Sequence, residues 1–219
     1  GRVMPTDELI AGLSASPPPA RLVNPTRTVL VAALLACLVV TLMAFAWLGL
    51  RSDIGSILAL EKHQFLLNLV FVIGVGSVAL AVIRDLAVPG RALRLPAIAI
   101  IAPFLLIAVV AVHELSTASL HQLFPHDHHA SWLTCLWQTA VLTVPAFTIL
   151  AFGLRRLAPT NLRRAGFYVG LLAGAIGSLG FCLHEPGSTV TFSATVYTAG
   201  ITLMAIVGAW IGPRLLRWR

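Results

Sequence analysis

Six runs of almost uninterrupted apolar residues, at about 28–50, 65–84, 95–114, 132–154, 165–183 and 192–212, alternate with short polar connectors. Each run is close to the roughly 20 helical residues that cross a hydrocarbon core of about 30 Å. Backbone in lipid has no water to bond with, so an isolated spanning segment must be helical. The pattern predicts an all-α integral membrane protein, a bundle of six transmembrane helices over 28–213, with a polar tail at 1–27 and a short end at 214–219. The first run follows a polar tail and is of full span length, so it reads as a span and not as a cleaved leader.

Within the runs, polar interruptions are few. GLLAGAIGSLG in the fifth run sets Gly170, Gly174 and Gly177 close to one face, with Gly180 a turn further on. Small residues so placed let helices approach closely. Pro103 and Pro145 are expected to kink or loosen their helices. Arg84 and Asp85 are adjacent at one end of the second run, where an arginine can snorkel to the interface. The spans supply no line of ionisable groups through the bilayer, which weighs against a pump or proton-coupled carrier.

Composition agrees with this reading. Of 219 residues, 58% are hydrophobic and only 11% charged, against about 25% charged in ordinary soluble domains. A net charge of +7 would otherwise suggest a polyanionic partner. Here the basic residues sit in the connectors and report topology, so no direct nucleic-acid binding is expected. Thirteen of the fifteen Lys and Arg fall in the N-terminal tail, the second and fourth connectors and the C-terminal end, leaving only Arg51 and Lys62 opposite. The positive-inside rule then puts both termini in the cytoplasm, as expected for a multi-pass protein of a bacterial inner membrane.

The histidines follow the opposite rule. His63, His113, His121, His126, His128, His129 and His184 all belong to the outer side, with Asp53, Glu61, Glu114, Asp127 and Glu185. Cys135 lies about a turn inside the fourth run, and Cys182 in the last turn of the fifth, followed by His184. Neighbouring antiparallel helices pack about 8–10 Å apart, so thiols at matched depth fall within reach of a disulfide or of a shared ligand. Two chemistries fit: a reversible Cys135–Cys182 disulfide answering to oxidants, or a Cys/His site of Cys135, Cys182 and His184, with His113 as a further donor, for Cu or Zn. The HDHH run at His126, His128 and His129 is a compositional hint of metal binding or simply a polar loop. Cys37, midway along the first run, reads as a small core hydrophobe. With no CxxC pair, spacing alone establishes neither a disulfide framework nor a zinc finger.

The inner tail offers a different chemistry. Thr6 suits an N-cap, Asp7 and Glu8 suit the positive end of a helix, and Leu9, Ile10 and Leu13 make a small apolar face. Pro17–Pro19 forms a stiff spacer. Two or three turns are too few for a stable isolated helix, so the tail is expected to order in a partner's groove.

TDELIAGLSA in the tail, AVPGR at Ala87–Arg91, SWLTC opening the fourth run, FCLHEP closing the fifth and WIGPRLLRW near the end together resemble the NrsF family, negative regulators of sigma-F. The resemblance covers nearly the whole chain, including the number and order of spans. It implies an inner-membrane anti-sigma factor of an extracytoplasmic-function sigma factor, whose cytoplasmic N-terminal segment keeps the sigma factor from RNA polymerase. It also implies that paired outer cysteines sense metal or oxidative stress. Those roles carry over to Thr6–Leu13 and to Cys135 and Cys182; the HDHH run is not a family signature. The residues alone leave two alternatives, a membrane thiol oxidoreductase, against which the missing CxxC stands, and a small metal transporter, which would need more polar residues along the spans than they supply.

Overall fold

The computed structural model describes residues 24–49, 62–88, 97–117, 132–157, 161–184 and 190–215. Among these residues every regular element is helical: α1 (Pro25–Leu48), α2 (Lys62–Leu86), α3 (Ile101–Thr117), α4 (Trp132–Arg155), α5 (Leu162–Cys182) and α6 (Val190–Leu215). All six are long and apolar enough to cross a membrane, α3 together with the 3₁₀ turn Ala97–Ile100 that leads into it. The boundaries differ from the hydropathy pattern by a few residues because caps, not hydropathy, end helices. Asn24 caps α1, its side chain accepting from the Arg27 amide, with Pro25 in the first turn. Asn161 caps α5 in the same way, through the Arg164 amide at 3.0 Å.

The two prolines behave differently. Pro103 falls in the first turn of α3, where an amide has no partner within the helix to lose, and the loosening appears just upstream as the 3₁₀ turn. Pro145 lies inside α4, which continues through it.

At the centre of the bundle is α5. Sixteen of its 21 residues are buried, and it packs against α6, α4, α2 and α1. Its glycines make this possible. A Cβ on Gly170 would meet the Met204 carbonyl oxygen and lie 2.8 Å from Ala205 Cα, while one on Gly174 would lie 2.8 Å from Ile201 Cα. Gly166 is pressed against Gly208 and Gly212 of α6, so the close approach is built from both helices. The pairing of 166 with 208, 170 with 204 and 174 with 201 makes α5 and α6 antiparallel.

At the rim, α3 leans on α6 and α2 and buries only Ile107 among its own residues. One polar contact fastens its far end. Glu114 Oε2 accepts from the Thr191 amide at 2.7 Å and from the Thr191 hydroxyl at 2.6 Å. A carboxylate from one helix thus satisfies an orphan amide at the positive end of another. Charge-assisted bonds of this kind contribute about 1.5–3 kcal/mol. Glu114→Ala is therefore expected to lower stability by about 2 kcal/mol and to loosen α3 first. Hydrogen exchange in detergent checks this: the amides of Thr191 and of α3 should exchange faster while those of α5 keep their protection.

Candidate functional site

The bundle has two chemically distinct ends. Ala32 of α1 lies against Gly153 of α4, and Val40 and Leu142 of the same helices meet near Gly180 of α5. These pairs run in opposite directions along α1 and α4, so the start of α1 and the end of α4 share one end. Arg27, Arg84, Arg155, Arg156, Arg163, Arg164 and Arg214 all fall there. His113, Glu114, Cys135, Cys182 and His184 fall at the opposite end, as does Lys62 at the start of α2. The two ends of different helices are tied there directly: His184 Nδ1 lies 3.3 Å from the Gly49 carbonyl oxygen. Gly49 follows α1 with φ 86°, a left-handed backbone that favours glycine.

Both thiols at this end are buried, Cys135 at 0% and Cys182 at 3% exposure. Their depths follow from Gly177 of α5, which is pressed against Thr143 of α4. From that crossing Cys182 lies five residues outward and Cys135 eight, or ~7 and ~12 Å at 1.5 Å per residue. They therefore stand within about one turn of each other in depth. Cys182 is seven residues from Ala175, on the side of α5 that meets Gly76 of α2. Cys135 is four residues from Thr139, which lies against Gly200 of α6, and seven from Leu142, which lies near Gly180 of α5. No disulfide joins them.

The Thr139 and Thr143 stripe of α4 is polar but internally satisfied. The Thr139 hydroxyl donates to the Cys135 carbonyl at 2.8 Å, and that of Thr143 donates to the Thr139 carbonyl at 2.7 Å. Such back-bonding lets a hydroxyl be buried and favours a slight bend. Two buried polar atoms lack a partner among the described residues, Asn68 Oδ1 of α2 and Ser178 Oγ of α5. Asn68 is eight residues outward from Gly76, at a depth similar to that of Cys182.

Among the described residues no three His, Cys, Asp or Glu side chains come together as a metal site. Cys135, Cys182, His184 and His113 are all described, so these four do not form a preassembled Cu or Zn cage. His113 is exposed on α3, its carbonyl accepting from the Ser116 and Thr117 hydroxyls. His126, His128 and His129 lie outside the described residues, as do Thr6, Asp7, Glu8, Leu9, Ile10 and Leu13.

The comparison with known sequences supplies what geometry alone cannot. The family described as "NrsF: Negative regulator of sigma F" matches residues 13–218. The chain belongs to the NrsF family. It is 34% identical over 185 residues to the "Probable anti-sigma-F factor NrsF" of Azospira oryzae, covering 81% of this chain and 83% of that one. It is 29% identical over 216 residues to the "Anti-sigma-F factor NrsF" of Caulobacter vibrioides, covering 98% of this chain and 100% of that one. No solved structure matches. The family match begins at Leu13, the last residue of the tail's apolar face. Coverage of 98% in the Caulobacter relative takes the similarity further, across the tail itself. Both relatives are named as regulators and not as enzymes.

Several contacts at the two ends escaped the linear pattern. Glu114 with Thr191 and His184 with Gly49 join residues far apart in sequence. Gly208 and Gly212 complete the α5–α6 seam, and their four-residue spacing in α6 is the signal that marks them.

Proposed function

We propose that this chain is an anti-sigma factor of the bacterial inner membrane that holds an extracytoplasmic-function sigma factor through Thr6–Leu13 and releases it on thiol chemistry at the opposite end. The observation that carries the reading is the family match over residues 13–218, a family described as negative regulators of sigma F. The arginine-rich end faces the cytoplasm, by the positive-inside rule, which leaves both termini and the tail where a sigma factor is found. Leu9, Ile10 and Leu13 supply the apolar anchors of the docked tail, with Asp7 and Glu8 at its positive end.

The input is read at Cys135 and Cys182. The stimulus is thiol-reactive, an oxidant or a thiophilic metal such as Cu or Zn. With an oxidant, the pair gives up two electrons and two protons and a Cys135–Cys182 bond forms. Because both thiols are packed inside the bundle, forming that bond shifts the last turn of α5 against α4. The α5–α6 seam has backbone against backbone, so a shift at one end is passed along the helix and not absorbed by side chains. A coupling of about 1–3 kcal/mol changes the tail's affinity roughly 5–150-fold.

Affinity capture of the full-length chain from its own membranes tests the output: a sigma factor should co-purify and should leave when the tail face is destroyed. Cysteine variants test the input separately. Cys135→Ser or Cys182→Ser is expected to leave repression of a sigma-dependent reporter intact while flattening its response to oxidant or metal. A normal response in both single variants would remove the thiols from the mechanism.

A further inference from the structure

At the arginine-rich end a cleft of about 930 Å³ opens between the end of α4, the start of α5 and the end of α6. One arginine comes from each helix: Arg155, Arg163 and Arg214. The remaining wall includes Trp210, Pro213 and Leu215, and among the described residues no acidic one lines it. Among the described residues none of the three guanidinium groups is paired with a carboxylate. Three like charges around one space repel each other. The arrangement becomes favourable when an anion sits among them.

We propose that this cleft binds the phosphate headgroup of an anionic phospholipid, with an acyl chain lying along Trp210 and Leu215. Guanidinium forks match phosphate oxygens in paired hydrogen bonds, which ammonium groups do not. Arg163 sits in the first turn of α5, where the helix dipole adds positive potential. Arg214 lies over the Trp210 ring at 5.2 Å, a cation–π contact that positions the guanidinium while leaving its N–H groups for the ligand. Trp210 itself is 70% exposed, at the level where tryptophans and headgroups meet in a bilayer. The charged half of the cleft fits the headgroup, and the apolar half fits what a soluble phosphate lacks. Basic pockets between spans on the cytoplasmic side take anionic headgroups by this same chemistry.

The inference rests on the six helices spanning a bilayer and not on what the tail holds, so the two can fail separately. The full-length chain is placed in phosphatidylcholine nanodiscs containing brominated phosphatidylglycerol or, at the same mole fraction, brominated phosphatidylcholine. Bromine quenches tryptophan only at close range. The anionic lipid should quench more strongly, and the excess should vanish in Trp210→Phe. Each Arg→Gln change at 155, 163 or 214 should reduce the preference about 5-fold, from roughly 1 kcal/mol per basic residue near the surface. Equal quenching by the two lipids would overturn the proposal without any variant. So would an excess that survives Arg155→Gln, Arg163→Gln and Arg214→Gln together. Inorganic phosphate that abolishes the excess would assign the cleft to a soluble anion and overturn the lipid assignment.

Discussion

Leu9→Asp combined with Leu13→Asp is expected to leave the sigma factor unheld and a sigma-dependent promoter fully active without any stimulus. In the proposed function the two leucines share one face of a short helix that orders only in the partner groove. Full burial of a leucine is worth about 1.5–3 kcal/mol, and aspartate in the same groove adds the cost of desolvating a charge. Losing both anchors weakens the tail by about 3–6 kcal/mol, or roughly 100- to 10,000-fold in affinity. Both positions precede the six apolar spans in the sequence, so the variant is expected to reach the membrane at normal level. Reporter output and co-purification from membranes both read the effect. A double variant that still represses would place the output surface elsewhere, on the connectors at the arginine-rich end.

A second large effect is expected at the α5–α6 seam. Gly170→Ala adds a single methyl, yet its Cβ has nowhere to go. The Met204 carbonyl oxygen and Ala205 Cα occupy its place, and both are backbone. The helices must separate, with a cost of about 3 kcal/mol or more by analogy with overpacked cores. Folded domains have about 5–15 kcal/mol in total, so Gly170→Val is expected to abolish a monodisperse bundle. Gly200→Ala is the matched control. There a Cβ finds only Thr139 Cγ2 at 3.5 Å and Leu136 Cδ1 at 3.8 Å, ordinary contact. It should be neutral or slightly stabilising, since alanine is the better helix former. Thermal unfolding in detergent separates the two, and equal midpoints for Gly170→Ala and Gly200→Ala would refute this account of the seam.

That seam also shows how far the linear pattern reaches. GLLAGAIGSLG already marks a helix that others can approach, but nothing in it says which helices do. In the structure Gly166, Gly170 and Gly174 meet α6, Gly177 meets α4 and Gly180 meets α1, so one stripe of small residues serves three neighbours as the helices cross. Hydropathy gives no guide to the centre either. The strongly apolar α1 and α3 are mostly uncovered by protein, while the less hydropathic α5 is almost wholly enclosed. Lipid is as apolar as leucine, so apolar surface gains little by turning inward, and helices pack instead where small residues allow close contact. The Glu114–Thr191 and His184–Gly49 contacts were illegible for a simpler reason. Each depends on two helix ends being brought together by the packing of the rest.

The candidate site divides along the same line. That Cys135 and Cys182 would lie at similar depth near one end could be read from their distance to the helix boundaries. Which neighbours each would face could not, because azimuth depends on how α4 and α5 roll in the bundle.

What the sequence determined by itself is the number of spans, their order and the separation of arginine from histidine and thiol, along with membership in the NrsF family. These follow from the thickness of a bilayer, from where charge can remain solvated and from motifs carried in order along the chain. Only the tertiary structure decided that α5 is the axis of the bundle, that Glu114 fastens α3 to α6 and that three arginines from three helices share one cleft. Those depend on helix rotation and crossing, which backbone and side-chain contacts select and which a one-dimensional pattern does not contain.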